Sequence, residues 1–527
     1  MSKQNKLGRR NALKALAGIP VLGILGVEAL RKIRYDDRND VRKQIIHELE
    51  LDDLLSSVKQ VTYISGDLIR IGVIGFGVRG TQLSQALGFM EKSRFEKALA
   101  DQKESGDKSL STQVHHGNIN VAITGICDVY DAHAENGLAA ARHDIFTGGD
   151  IAEKHPVKRY LHYHDMLEDP AIDAVIVSLP DHHHARVTIE AVKAGKHVYC
   201  EKAPIHRESE IQPLYEAVKN SGVVYQMGHQ IPQNAVFQQA REIIQRGLLG
   251  NISQVETTTN RNTPSGAWIR HRYRNGDLKP GNEQNIDWQQ WLGEAPEVPF
   301  SVRRYYSWAR YSEYDTGLFG QLFSHEFDAV NQLLKLGIPE LVSSTGGQYY
   351  YTEFGDIPDV LHTTFEYRKK GTSLTYSANL TSAKSRPRTI YGKEASMTIG
   401  GSLTMTPDGN SEKYKDLIDN GLVDPSRPMM EIREGSSLSD AVDAVSSAST
   451  AYYASRGLTT TNIGGQQWDV THLHLKEWLN CIRHGGEPSA NIDMAIQEAV
   501  VIAMADISYR EKCRTAWDPE NKKILRV

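Results

Sequence analysis

The stretch "IRIGVIGFGVRG", Ile69 to Gly80, carries three glycines, Gly75, Gly77 and Gly80, in the spacing G-x-G-x-x-G. Each can do something specific for a bound pyrophosphate. The first permits a tight turn, the second lets backbone approach the ligand, and the third lets a helix pack closely on a strand. Phe76, Val78 and Arg79 fill the fingerprint and belong to the same candidate cofactor site. In a chain with 43 glycines the spacing alone decides little, so its surroundings must supply the rest. A second requirement is an acidic residue closing the next strand, to accept hydrogen bonds from a ribose. Asp128, in "VAITGICDVYD", meets it, although it stands well beyond the usual distance of about 20 residues. The excess, "EKSRFEKALADQKESGDKSLSTQVHHGNIN", is polar and charged, and reads as an inserted surface helix and loop. A carboxylate there favours NAD over NADP, whose 2′-phosphate it would repel. Arg79 and Arg142 pull the other way.

The elements around these residues must bring the turn to the edge of a sheet. Leu68 to Ile74 reads as a buried strand, and Leu83, Ala86, Leu87 and Met90 recur on one face of a following helix. Strand, glycine turn and helix is the setting the fingerprint needs, because a helix N-terminus offers N–H groups and a positive dipole end to phosphates. The alternation continues through "AIDAVIVSLP", a helix marked by Ala185, Ile189 and Val192, and the short strand "KHVYCEK". A helix marked by Ile211, Leu214, Ala217 and Val218 and the strand "GVVYQMG" complete it. Such alternation makes right-handed parallel units, so residues 68–228 are expected to form a Rossmann domain. "LPDHHHA" and "CEKAP" also follow strands, and meet the glycine turn at the carboxyl edge, where ligands bind. Residues 229–527 have a different texture. "GNISQVETTTNRN", "IPDVLHTTFEYRKKGTSLTYSANL" and "ASMTIGGSLTMTP" alternate apolar and polar, as antiparallel strands do. The expected class is α/β: a Rossmann domain followed by an α+β domain with a large open, mainly antiparallel sheet. Residues 431–465 are small and polar and read as a mobile insertion.

At 527 residues, one hydrophobic core is too small and two domains are expected. A net charge of −5 argues against nucleic acid as the main partner. Cys127, Cys200, Cys481 and Cys513 lie far apart with no C-x-x-C, so neither a metal knuckle nor a disulfide framework is indicated. His182 to His184 lack a second ligand cluster at matching spacing, and no metal is expected. Paired Arg9 and Arg10 precede a mildly apolar run from Ala15 to Leu30, which reads residues 1–35 as a twin-arginine export signal or anchor. Residues 36–67 follow as a charged lead-in. The apolar run is short and broken by Gly, Pro and Glu28, a poor spanning helix. The expected location is therefore periplasmic, with membrane contact confined to this segment.

The chain resembles the Gfo/Idh/MocA oxidoreductase family over most of residues 68–525. The resemblance rests on "GVIGFGVRG", "VIVSLPDHHHARVTIEAVKAGKHVYCEKAP", "DWQQWLGEAP", "GLFGQLFSHEFDAVNQLLKLG", "EWLNCIRHGGEPS" and "TAWDPE". It implies that Lys202 reaches the nicotinamide and the reacting hydroxyl, and that His325 is the base. It also implies that Pro180, Asp181, His182 and His184 lie beside the nicotinamide ribose, with Glu201 anchoring the neighbouring loop. Two positions depart from the family. Ala203 intervenes in the usual Glu-Lys-Pro, and the aspartate expected four residues before His325 is Gln321. Gln321 can orient His325 by a hydrogen bond but brings no negative charge. Substrate candidates are His229, Trp291 and Asp328. Trp268, Arg270, Tyr305, Tyr306 and Trp308 can stack on a sugar or fill a core. In relatives the open sheet mediates assembly, which implies a homodimer or homotetramer.

Oxidising an alcohol needs a hydride acceptor, a base for the hydroxyl proton and a positive group to steady the alkoxide. His325 suits the proton transfer and Lys202 the alkoxide. The expected function is an NAD-dependent oxidoreductase acting on a hydroxyl carbon of a sugar, glycoside or cyclitol, a 3-keto sugar being one such product. The alternatives are a redox-neutral, NAD-dependent glycoside hydrolase or epimerase and a non-catalytic sugar-binding protein. Export in the folded state would carry the nicotinamide along as a tightly bound group.

Overall fold

The computed structural model of the chain describes residues 47, 66–105, 117–147, 149–151, 153–270, 281–433, 459–463 and 466–527. The twin-arginine segment, nearly all of the lead-in and most of the expected insertion at 431–465 lie outside the described residues. Among the described residues no helix is long and apolar enough to cross a membrane.

The first sheet is parallel, built from β1 (Ile69–Ile74), β2 (Val121–Cys127), β3 (Lys158–Tyr160), β4 (Ala174–Val177), β5 (His197–Cys200) and β6 (Tyr225–Met227). Its strands run in the order β3-β2-β1-β4-β5-β6. The order reverses between β1 and β4, which opens a crevice at their carboxyl ends. Ile71, Val73, Ile123, Ile126, Val175 and Ile176 are fully buried, because helices cover both faces. Those helices include α1 (Val78–Ala86), α3 (Asp131–Ala141), α4 (Asp181–Lys193) and α5 (Ile211–Lys219). The inserted segment between α1 and β2 begins as expected with a helix, α2 (Lys92–Ser105), and residues 106–116 lie outside the described part.

The second sheet has ten strands: β7 (Ile252–Asn260), β8 (Leu341–Gly347), β9 (Val360–Tyr367), β10 (Thr372–Asn379), β11 (Arg388–Gly392), β12 (Ala395–Ile399), β13 (Ser402–Pro407), β14 (Met430–Arg433), β15 (Thr515–Asp518) and β16 (Lys523–Arg526). Their order is β14-β13-β12-β11-β7-β10-β9-β8-β15-β16. Every pairing is antiparallel except β10 with β7. The alternation read from the sequence is real: in β12, Ala395, Met397 and Ile399 face the core while Ser396 and Thr398 stand on the other side. On the covered face lie α6 (Ser324–Leu334) and α8 (Ile492–Glu511). Phe323, at the start of α6, stacks on Phe365 of β9 at 4.6 Å and 7°, fixing the helix to the sheet.

One helix crosses the division of the chain near residue 228. In α7 (Val470–His484), Leu475, Trp478 and Leu479 join Ile71, Val73, Ile176 and Tyr199 in the core of the first sheet. The His474 Nε2–H donates to the Met227 carbonyl at 2.9 Å, and Arg483 Nη2 donates to the carbonyls of Ile119 and Asn120. The end of the chain thus closes the domain formed by its beginning.

Candidate active site

The three glycines do three different jobs. Gly75 has φ +88°, and a Cβ there would meet the Ser178 carbonyl oxygen at 2.5 Å. At Gly80 a Cβ would come within 2.2 Å of the Gly75 oxygen, so the helix sits directly on the turn. A Cβ at Gly77 would meet only His133 Cε1, at 3.9 Å, which leaves open space before the backbone. No side chain caps α1, so the N–H groups of its first turn, at Val78 and Arg79, remain available to an anion.

Asp128 closes β2 and accepts hydrogen bonds from the Phe76 N–H at 2.6 Å and the Tyr130 N–H at 2.8 Å. Its carboxylate holds the glycine turn in place, and each oxygen keeps a lone pair for a ribose hydroxyl. Asp131, the neighbouring acid, is ion-paired with Arg159. Arg79 does not turn toward Asp128. Its Nε donates to Glu201 Oε1 at 2.6 Å, tying the fingerprint to the end of β5, and that commitment takes it away from a 2′-phosphate beside β2. Among the described residues its buried Nη2 has no hydrogen-bond partner. An open cradle at Gly77, an uncapped helix end and an unsatisfied buried guanidinium nitrogen together fit a dinucleotide.

Lys202 follows β5 directly, and its Nζ donates to Gln321 Oε1 at 2.9 Å. Gln321 lies in a π-helical turn, Phe319–Phe323, that leads into α6. Its Nε2 donates to Asp181 Oδ1 at 2.9 Å and to Asp315 Oδ1 at 2.7 Å. The negative charge missing at position 321 is therefore not lost from the site. It stands one amide further back, at the start of α4, and the glutamine serves the lysine. Asp181, expected beside the ribose, is fully engaged with Gln321 and Thr316, whose hydroxyl donates to its Oδ2 at 2.7 Å.

Pro180 precedes α4 in extended conformation and starts the histidine turn. His182 and His183 both donate from Nε2 to the Trp291 carbonyl, at 3.0 and 2.8 Å. Burial, and then His183, hold the His182 imidazole well below its usual pKa, and burial lowers His183 to about 4. Two neutral rings on one carbonyl explain the repeated histidine. Among the described residues no group of three His, Cys, Asp or Glu side chains is placed to hold a metal ion. His184 Nδ1 donates to the Ala203 carbonyl at 2.7 Å, joining the turn to the loop that carries Lys202. Trp291 was expected at the substrate. Its ring instead stacks on Trp288 at 4.6 Å and packs against Tyr314, with only 4% of its surface exposed, and its carbonyl does the work. Trp268, Tyr305 and Tyr306 are buried likewise.

His325, in the first turn of α6, is buried. Burial, then the His229 and Lys202 charges, hold its imidazole well below the usual pKa, so it is neutral with a lone pair free of a proton, and a weaker base than an exposed histidine. His229 meets it edge to face, with ring centroids 5.1 Å apart at 82°. Rather than standing open to a substrate, His229 bonds through Nε2 to Glu498 on α8, 2.9 Å from the nearer oxygen. Burial opposes charging His229, and the Glu498 carboxylate overcomes it, raising its pKa. Asp328, one turn beyond His325, has its pKa lifted to about 6 by burial and takes two hydrogen bonds from Gln332. Sequence reasoning missed Asp315, Thr316 and Glu498. Asp315 meets Gln321 within one short segment, but Thr316 and Glu498 acquire their roles only when distant elements meet.

A parallel sheet of this order with a glycine turn at its switch point, joined to a large open sheet, defines a two-domain NAD-binding protein. Residues 69–229 match the family model described as "Oxidoreductase family, NAD-binding Rossmann fold", and residues 294–514 match its "C-terminal alpha/beta domain". The chain belongs to the Gfo/Idh/MocA oxidoreductase family. Among its relatives is levoglucosan dehydrogenase of Pseudarthrobacter phenanthrenivorans, 26% identical over 195 residues, 35% of this chain and 41% of that protein. Myo-inositol 2-dehydrogenase of Thermotoga maritima is 26% identical over 152 residues, 27% of this chain and 45% of that protein. The matches span about half the length of the curated relatives, or less. In fold, the chain is similar to the WlbA dehydrogenase of Bordetella pertussis, solved with NADH and UDP-GlcNAcA, at a TM-score of 0.53 and 17% identity, covering 86% of this chain and 99% of that one.

Proposed function

We propose that the protein transfers a hydride between NAD and a hydroxyl-bearing carbon of a sugar, glycoside or cyclitol. The observation that carries this reading is the Lys202 Nζ, held 2.9 Å from Gln321 Oε1 at the same sheet edge as the glycine turn. NAD, when bound, supplies the hydride acceptor or donor. The Gly75–Gly80 turn and the first N–H groups of α1 would hold its pyrophosphate, and Asp128 its adenosine ribose. Lys202 offers a positive group to a developing alkoxide. His325, kept neutral by burial, takes up the hydroxyl proton at a ring nitrogen. The levoglucosan and inositol dehydrogenases among its relatives support a polyhydroxylated substrate. The paired Arg9 and Arg10 support export, and a protein exported folded would keep its nicotinamide as a resident group.

The test separates binding from chemistry. Lys202→Ala should bind NAD within about threefold of wild type while turnover falls at least about a hundredfold, the lower end for losing a group that stabilises a developing oxyanion. Calorimetric titration with NAD and steady-state rates on a panel of sugars and cyclitols measure both. Turnover that survives Lys202→Ala would refute the reading.

A further inference from the structure

We infer that Asp315 is a positioning residue for the reaction: with Asp181 it seats the Gln321 amide, and Gln321 in turn holds the Lys202 Nζ. The inference rests on the proposal that Lys202 touches the reacting hydroxyl. It is carried by four hydrogen bonds on one buried line. Gln321 Nε2 spends both hydrogens on carboxyl oxygens, 2.9 Å to Asp181 Oδ1 and 2.7 Å to Asp315 Oδ1. The amide therefore has one orientation. Turned over, it would set its oxygen against two carboxyl groups and its NH2 against the lysine ammonium. Lys202 Nζ then meets Oε1 at 2.9 Å, and the Thr316 hydroxyl fixes the far oxygen of Asp181 at 2.7 Å. Asp181 and Asp315 are each 1% exposed and Gln321 is 8% exposed, so water does not compete for these bonds.

Two carboxyl groups sharing one NH2 at this depth cannot both ionise. Burial, and then the neighbouring Asp181, push the Asp315 carboxyl well above the usual range, which favours its neutral form. Asp315 acts here by shape and hydrogen bonding, not by charge. That separates it from an ordinary ion-pair partner and gives the test its form. An asparagine can replace a protonated aspartate almost atom for atom, accepting from Gln321 as the acid does. A leucine cannot.

The experiment compares Asp315→Asn with Asp315→Leu by steady-state kinetics and by the NMR titration of Lys202 after 13C-dimethylation of the full-length protein, the signal being assigned with Lys202→Arg. We expect Asp315→Leu to lower kcat about tenfold or more, as a loosened catalytic group does. The affinity for NAD should stay in place, and the Lys202 titration should move. Asp315→Asn should restore both rate and titration to near wild type. If Asp315→Leu fails to fold, Gln321→Leu cuts the same line one link later and must show the same loss. The inference is overturned if Asp315→Asn is as impaired as the leucine variant, or if the leucine variant matches wild type in rate and titration. The titration needs no turnover. Absence of NAD-dependent activity in the wild type would defeat the functional proposal while leaving the positioning of Lys202 to be judged separately.

Discussion

At the scale of single residues, the site turns on Gln321. Read from the sequence alone, it is a lost charge that an aspartate would restore. The structure reverses that expectation, because Asp181 and Asp315 already stand behind the amide at 2.9 and 2.7 Å. Gln321→Glu would remove both donors and bury a third carboxyl group against two others. Such a group is protonated in the folded state and ionised in the unfolded one, so its stability contribution is lost as pH rises. The variant should therefore melt progressively lower than wild type between about pH 5 and pH 8, and recover part of its activity toward the acid end, where a protonated glutamate regains one of the two donors. Melting curves and kcat across that range check it. A variant as stable and active as wild type at pH 8 would mean the acid cluster is not as close as described. The sequence could single out Lys202 and His325, because their motifs are local. It offered no sign of Asp315, whose place beside the distant Asp181 is set by folding, or of Glu498, which reaches His229 from α8.

At the scale of elements, the strand–turn–helix unit was legible because its glycines and its apolar periodicity lie within one short stretch. The structure adds that these glycines are not equivalent. Gly77 has φ −69°, ordinary for any residue, with nothing nearer than 3.9 Å to a new Cβ. Gly80 would place a Cβ 2.2 Å from the Gly75 oxygen. Gly80→Ala should therefore cost about 1–3 kcal/mol of stability through overpacking. Gly77→Ala should fold normally and weaken NAD at least about tenfold, or about 1.4 kcal/mol. Denaturant unfolding and calorimetric titration distinguish them, and equal effects on both readouts would contradict the assignment. The docking of α7 onto the first sheet was not legible, since it joins residues hundreds of positions apart. His474 reports on it: burial depresses its pKa to about 3. The stability it contributes is present above its unfolded value and lost as pH falls toward the folded one. Relative to His474→Gln, the wild type should lose about 1.4 kcal/mol per pH unit below about 6.5. Equilibrium unfolding at pH 7, 6 and 5 reads that slope, and parallel curves would show that the ring is not buried neutral.

At the scale of the whole molecule, the glycine turn and Lys202 follow strands of the first sheet, and Gln321, just ahead of α6, reaches Lys202 from the other half of the chain. The division into a parallel and a mainly antiparallel half was legible because the two textures differ along the chain. The division of labour across it was not, because the Lys202–Gln321 and Asp181–Gln321 contacts each span the two halves. The aromatic residues Trp268, Trp291, Tyr305 and Tyr306 are packed in the core. The claim that binds these scales together is that a carbon-bound hydrogen of the substrate passes to NAD. It is tested most directly by a single turnover of the NAD-loaded protein with sugars and cyclitols deuterated at their hydroxyl-bearing carbons, followed by mass analysis of the recovered nicotinamide and product. The account predicts reduced nicotinamide carrying one deuterium, together with a keto product that has lost it. Product formation with unlabelled, oxidised NAD and all deuterium still on its original carbon would contradict it.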